Sequence, residues 1–137
     1  YRLQARNQKA VFSHDTALYL HELTDRDPIK LTVTVPYGYN ASHLRHEGIK
    51  VYTVKRSLHL VGVTKSETLF ARPIRVYNKE RTICDIVRNR NNIDAAILNE
   101  AIRRYLGTKG KNVPLLLRYA KKLDVQRIIR QYVEILT

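Results

Sequence analysis

Pro73-Ile-Arg-Val-Tyr-Asn-Lys-Glu-Arg-Thr-Ile-Cys-Asp-Ile-Val-Arg-Asn89 is where the chain changes character. Pro73–Tyr77 reads as a strand, with apolar and polar residues alternating. From Asn78 the apolar residues take helical spacing. Ile83, Ile86 and Val87 share one face, and Arg90 continues it. Asn78 has the side-chain oxygen that caps a helix running to about Asn89. The residues before this junction are rich in strands and those after it are helical, an α+β pattern.

Upstream, Ser13 is placed to cap a short helix carrying Ala17, Leu18, Leu20 and His21 to about Leu23. Thr24-Asp-Arg-Asp-Pro28 marks a turn. Leu31-Thr-Val-Thr-Val35 alternates as a half-buried strand, and Pro36 stops it. Asn40 or Ser42 caps a short helix over Leu44–Glu47, closed by Gly48. Ile49–Val54 is a second strand, and Val63–Phe70 pairs with Pro73–Tyr77 as a hairpin. These strands form a small mixed sheet, on which the Asn78 helix packs through Ile83 and Ile86.

Downstream, Asp94–Leu106 places Ile97, Ala101 and Tyr105 at four-residue steps. Gly107-Thr-Lys-Gly110 breaks that helix. Asn112 caps the next, which carries Leu115, Leu116, Tyr119 and Leu123. In the last helix Val125, Ile128, Ile129, Tyr132, Val133 and Leu136 form one apolar stripe. The two halves are small for separate cores, so one domain is expected.

The 137 residues hold 25 Lys and Arg against 12 Asp and Glu, a formal charge of +13. Such an excess opposes compaction and suits polyanionic partners. It is densest between Glu100 and Arg130. There Arg103, Arg104, Lys109, Lys111, Arg118, Lys121, Lys122, Arg127 and Arg130 face only Glu100 and Asp124. They fall on the polar sides of three amphipathic helices and one loop, a candidate nucleic-acid surface. Arg81, Asp85 and Arg88 stand at i, i+4 and i+7, so Asp85 can bridge both arginines in a structural ion-pair network. No apolar run approaches the ~20 residues of a membrane span. Cys84 has no partner for an internal disulfide, and a cytoplasmic location is expected.

Catalytic chemistry finds little support. His43 and His46, and His14 and His21, can share helix faces, yet neither pair has a third ligand in sequence, so no metal is expected. Cys84 lies among apolar residues and reads as packed and inert. Asp15, Glu22, Asp25, Asp27 and Glu47 lack a nuclease spacing, and Glu47-Gly-Ile-Lys50 has the residue types without it. There is no phosphate-cradling glycine loop and no nucleophile elbow. Tyr37, Tyr39 and Tyr52 read as rim tyrosines with packed bodies and wet hydroxyls, although their faces suit an unstacked base. The chain is expected to bind rather than catalyse, without a cofactor.

Several strings together resemble the AbiEi family, the antitoxins of type IV abortive-infection toxin–antitoxin systems in bacteria. They are Phe12-Ser-His-Asp-Thr-Ala-Leu-Tyr-Leu-His21, Leu23-Thr-Asp-Arg26, Val33-Thr-Val-Pro-Tyr-Gly-Tyr39 and Arg75-Val-Tyr-Asn-Lys-Glu-Arg-Thr-Ile-Cys-Asp-Ile-Val-Arg88, with Lys111-Asn112, Tyr119-Ala-Lys-Lys122 and Arg130-Gln-Tyr132 in the tail. The resemblance spans about Phe12 to Leu136. It implies a C-terminal antitoxin domain over 12–137. Residues 1–11 are then a linker or remnant of an N-terminal winged helix-turn-helix. That domain reads the operon's own operator, and the C-terminal domain supports autoregulation through DNA backbone contacts. The functional partner is a nucleotidyltransferase-like toxin, which the antitoxin need not touch. Alternatives are an antitoxin that binds a protein or an RNA target without a DNA role, and a cryptic nuclease. Asn78 stands where the family pattern has Asp, a neutral exchange at a helix cap.

Overall fold

The computed structural model describes residues 3–4, 7–67 and 73–137. The proposed strand end at 68–70 lies outside them. The architecture is α+β: a five-stranded mixed sheet in the first half, then a helical half. The sheet comprises β1 (Val11–Phe12), β2 (Thr32–Pro36), β3 (Lys50–Val54), β4 (Val63–Glu67) and β5 (Pro73–Tyr77), in the order β3-β2-β1-β5-β4. Between the strands lie α1 (His14–Leu20), α2 (Ser42–His46) and α3 (Arg56–His59). β4 and β5 form the expected antiparallel hairpin, with Val63 opposite Tyr77. β2 and β3 run parallel, Thr32 opposite Lys50, with α2 in the crossover.

β1 is two residues long and was not evident from periodicity. It pairs antiparallel with β2 and parallel with β5, and so joins the two halves of the sheet. β2 differs from the half-buried strand expected of its alternation. All five residues are buried, because α1 and α3 pack against it and β1 and β3 flank it. Its polar groups are satisfied on the α1 side: the Thr34 hydroxyl donates to Ser13 Oγ at 2.7 Å, and the Thr32 backbone amide donates to Thr16 Oγ1. Ser13 therefore sits at the N-cap position of α1 without capping it; its hydroxyl also meets His14 Nδ1 at 2.8 Å.

The helical half comprises α4 (Lys79–Arg88), a 3-10 turn over Arg90–Asn92, α5 (Ala95–Leu106), α6 (Val113–Lys122) and α7 (Gln126–Leu136). The two caps expected at Asn78 and Asn112 are made, and Asp94 supplies a third. Asn78 Oδ1 accepts from the Arg81 amide, Asp94 Oδ1 from Ala96 and Ile97, and Asn112 Oδ1 from Leu115. α4 is the central element. Glu80 through Val87 are all buried, rather than the single face that its pattern suggests. It packs chiefly against α6, α1 and α5 and meets the sheet chiefly at β5, so its main support is helical. Arg90 lies beyond its end and is exposed.

Two apolar clusters result. One lies on the sheet, around Phe12, Val33, Val35, Leu44, Ile74 and Val76. The other joins the helices, around Ile83, Ile86, Ile102, Tyr105, Leu116 and Ile129. α1 contributes Ala17 to the first and Leu18 to the second. Each buried Leu or Ile adds about 1.5–3 kcal/mol of transfer free energy, so the two clusters supply the main driving force for both layers. Gln4 and Arg75 fasten Gln4, Asn7 and Ala10 to β5: Gln4 Nε2 donates to Arg75 O at 2.7 Å, the Arg75 amide donates to Gln4 Oε1, and Arg75 Nη2 reaches the carbonyls of Asn7 and Ala10. No helix among the described residues is long and apolar enough to cross a membrane.

Candidate nucleic-acid interface

Helices α5 to α7 orient the basic residues by burying their apolar sides. α5 buries Leu98, Ala101, Ile102, Tyr105 and Leu106, which turns Arg103 outward. α6 buries Leu116 and Ala120 against α4. Arg118, Lys121 and Lys122, at i, i+3 and i+4, are left on one exposed side. α7 buries Ile129 and exposes Arg127 and Arg130, three residues apart. The turn between α6 and α7 passes through Asp124 in a left-handed conformation, φ +60°.

The nine basic residues are not equivalent. Arg104 grips Asp25 with both terminal nitrogens, at 3.1 and 2.7 Å, and its Nε donates to Glu100. Its charge is used in fastening α5 to the loop after α1. The same contact holds the Asp25 carboxyl below its usual range. Arg103 lies 3.5 Å from Glu100, an exposed pair of small energetic weight. Lys111 donates to the Leu106 carbonyl at 2.9 Å and so closes the C-terminal end of α5. Lys109, Arg118, Lys121, Lys122, Arg127 and Arg130 are exposed, and no carboxylate pairs with them among the described residues. These six form the free part of the basic set.

The proposed network of Arg81, Asp85 and Arg88 is half made. Arg81 is fully buried and its Nε donates to Asp85 Oδ1 at 2.9 Å. Nη1 donates to the carbonyls of Leu58 and Val61, and the guanidinium lies 4.1 Å from the Tyr77 ring centroid. Arg88, one turn on, is exposed and makes no ion pair with Asp85. Burial pushes the Asp85 carboxyl up to about 6, against the pull of Arg81. This is a structural bond between α4 and α3, remote from solvent.

The remaining polar candidates are mostly committed to the fold. His14 is buried at the start of α1, its ring stacked 3.7 Å from that of Tyr52, with Nε2 2.9 Å from Asn89 Nδ2. Burial, with the charges of Arg81 and Lys50, lowers its pKa to about 3. His21 Nε2 donates to the Tyr77 carbonyl, as befits an edge histidine. His43 lies 2.7 Å from Asn7 Oδ1, and His46 is exposed. No three metal-ligating side chains converge among the described residues. Cys84 is packed as expected, and burial pushes its thiol pKa up. Tyr52 departs from the rim reading, since its hydroxyl is buried without a hydrogen-bond partner among the described residues. Tyr39 donates to Asn7, whereas Tyr37 stands exposed. Asp15, Asp27 and Asp94 share a cleft of about 440 Å3 with Arg26, Lys30 and Lys50, in which acids and bases balance. Glu22 and Glu47 are exposed away from it.

Sequence reasoning missed the His14–Tyr52 stack and the anchoring roles of Gln4 and Asn7. Their distant partners lie 32 to 75 residues away, and no local pattern signals them. Comparison with known protein families finds none whose model matches the chain, and comparison with curated proteins finds no similar one.

Proposed function

We propose that the chain is the C-terminal antitoxin domain of an AbiEi-like type IV abortive-infection system, acting by binding and not by turnover. In this reading its basic helical face holds the DNA backbone without reading sequence. It supports repression begun by an N-terminal winged helix-turn-helix, and the domain neutralises a nucleotidyltransferase-like toxin. The reading rests on the family-like strings between Phe12 and Tyr132. The observation that carries the DNA contact is the set of six exposed cations from Lys109 to Arg130 without carboxylate partners among the described residues. Such a set gathers phosphates through counterion release. Phosphate contacts position a protein without specifying sequence.

Co-expression with the toxin of the same operon tests antitoxicity. Growth should recover with this chain alone, and failure to recover would remove the antitoxin reading. Reversing Lys121, Lys122 and Arg127 to Glu in the protein carrying the operator-reading domain tests the DNA contact. Repression should weaken; unchanged repression would leave the basic face without that role.

A further inference from the structure

A second basic feature lies at the other end of the sequence. Lys9, Pro36, Tyr37, Gly38, Tyr39, Arg56, His59 and Leu60 line a cleft of about 400 Å3, within the ~300–1,000 Å3 of small-ligand sites. Two cations line it and no carboxylate does, among the described residues. This distinguishes it from the cleft around Asp15 and Lys50, where three acids answer three bases. Tyr37 is 73% exposed at the edge, free of the contacts that occupy Tyr39 and Tyr52.

The walls are firmly held. Tyr77 Oη donates to His59 O, and Arg81 Nη1 to Leu58 O, so two buried side chains fix α3 beneath Arg56. His59 Nε2 donates to Lys9 O at 2.6 Å and ties the segment before β1 to α3. Gly38 makes the tight turn after β2 with φ +91°. That left-handed φ is what calls for glycine; a Cβ there would meet only Arg56 Nη2, at an ordinary 3.4 Å. Arg56 Nε points to the Tyr37 carbonyl at 3.5 Å. A phosphate-seeking fork thus shares a cleft with an exposed aromatic side chain, on a frame held by hydrogen bonds.

We propose that this cleft binds one unpaired nucleotide, its base stacked on Tyr37 and its phosphate held by Arg56 and Lys9. An exposed ring has a use for a base, and paired cations without acids have a use for phosphate. A purely acidic ligand would leave the ring idle. The nucleotide can come from a free nucleoside monophosphate or from an unpaired position in a single strand, and the experiment separates these sources. The site shares no residue with the basic face of α5 to α7.

The test titrates the intact chain with AMP and, separately, with a thymidine hexanucleotide. Binding is followed by anisotropy and by amide shifts at Tyr37–Tyr39 and Arg56–Leu60. Shifts with AMP identify the free nucleotide as a sufficient ligand; shifts with the hexanucleotide alone identify the strand. Tyr37→Ala should weaken binding on the order of tenfold, the effect of losing one stacked base, while Tyr37→Phe should retain it. Arg56→Gln should reduce the dependence of log K on log salt by about 0.7, one single-strand phosphate. Both side chains are exposed, so neither change threatens the fold, and circular dichroism checks this. The proposal fails if neither probe shifts these amides at millimolar concentration. It also fails if Tyr37→Ala and Arg56→Gln bind as the native chain does. A hexanucleotide lost only on reversing Lys121 and Lys122 to Glu would overturn the cleft and leave the helical face standing.

Discussion

Arg81 is a charged side chain with no solvent exposure, held by Asp85, two backbone carbonyls and the Tyr77 ring. Removing one member of such a pair leaves the other charge buried and alone, a cost of about 3–5 kcal/mol. Arg81→Met should lose that much in urea denaturation, while Arg81→Met with Asp85→Leu should recover most of it. A single-variant loss under about 1 kcal/mol would mean that buried Arg81 does not hold α4 to α3. His14 gives a pH signature. Its folded pKa of about 3 lies below the usual 6.5, so the unfolded chain takes up the proton first. Its contribution is complete above pH 6.5 and falls as pH falls toward 3, by at most about 1.4 kcal/mol per unit. Asp85 acts oppositely between 3.8 and about 6, where the folded state takes the proton first and stability drops as pH rises. The difference between the native chain and His14→Asn isolates the histidine, because Asn tolerates the left-handed φ of +49° at that position. That difference should shrink from pH 6.5 to 4; a constant difference would contradict the assignment.

The turn into β4 depends on Gly62. Its φ is +80°, and a Cβ would stand 2.8 Å from Arg81 Cβ and 3.1 Å from Asn78 Oδ1. Gly62→Ala therefore meets both backbone strain and the wall of α4, and should cost more than about 1 kcal/mol. Thermal unfolding measures this, and an unchanged midpoint would show that α4 yields there. Elements with local causes were legible in the sequence. Asn78, Asp94 and Asn112 cap because each carboxamide or carboxylate reaches amides two or three residues on. Ser13 fails to cap because Thr34 and His14 claim its hydroxyl, a choice made by tertiary packing. β1 was not legible for the same reason: two residues carry no period, and its partners begin 20 or more residues away. The exposed positions of Arg118, Lys121 and Lys122 follow from helical spacing alone. The loss of Arg104 from the free set does not, since Asp25 lies 79 residues away.

At the scale of the molecule, the charge of +13 works against compaction, while two apolar clusters and a buried ion pair hold the layers together. The structure shows that the densest basic stretch is not uniform. Arg104 and Lys111 are bound into the fold, and six other cations are exposed without an ion pair among the described residues. A partner held by these six should be recognised through its phosphates, weakly and without regard to sequence. The most direct test is the dependence of duplex DNA affinity on salt, measured on the native chain and on Lys121→Glu with Lys122→Glu and Arg127→Glu. The native slope of log K against log salt should be about −3 to −5, with about 0.9 lost for each contact removed. A slope near zero, or a native slope unchanged by the three reversals, would contradict the account.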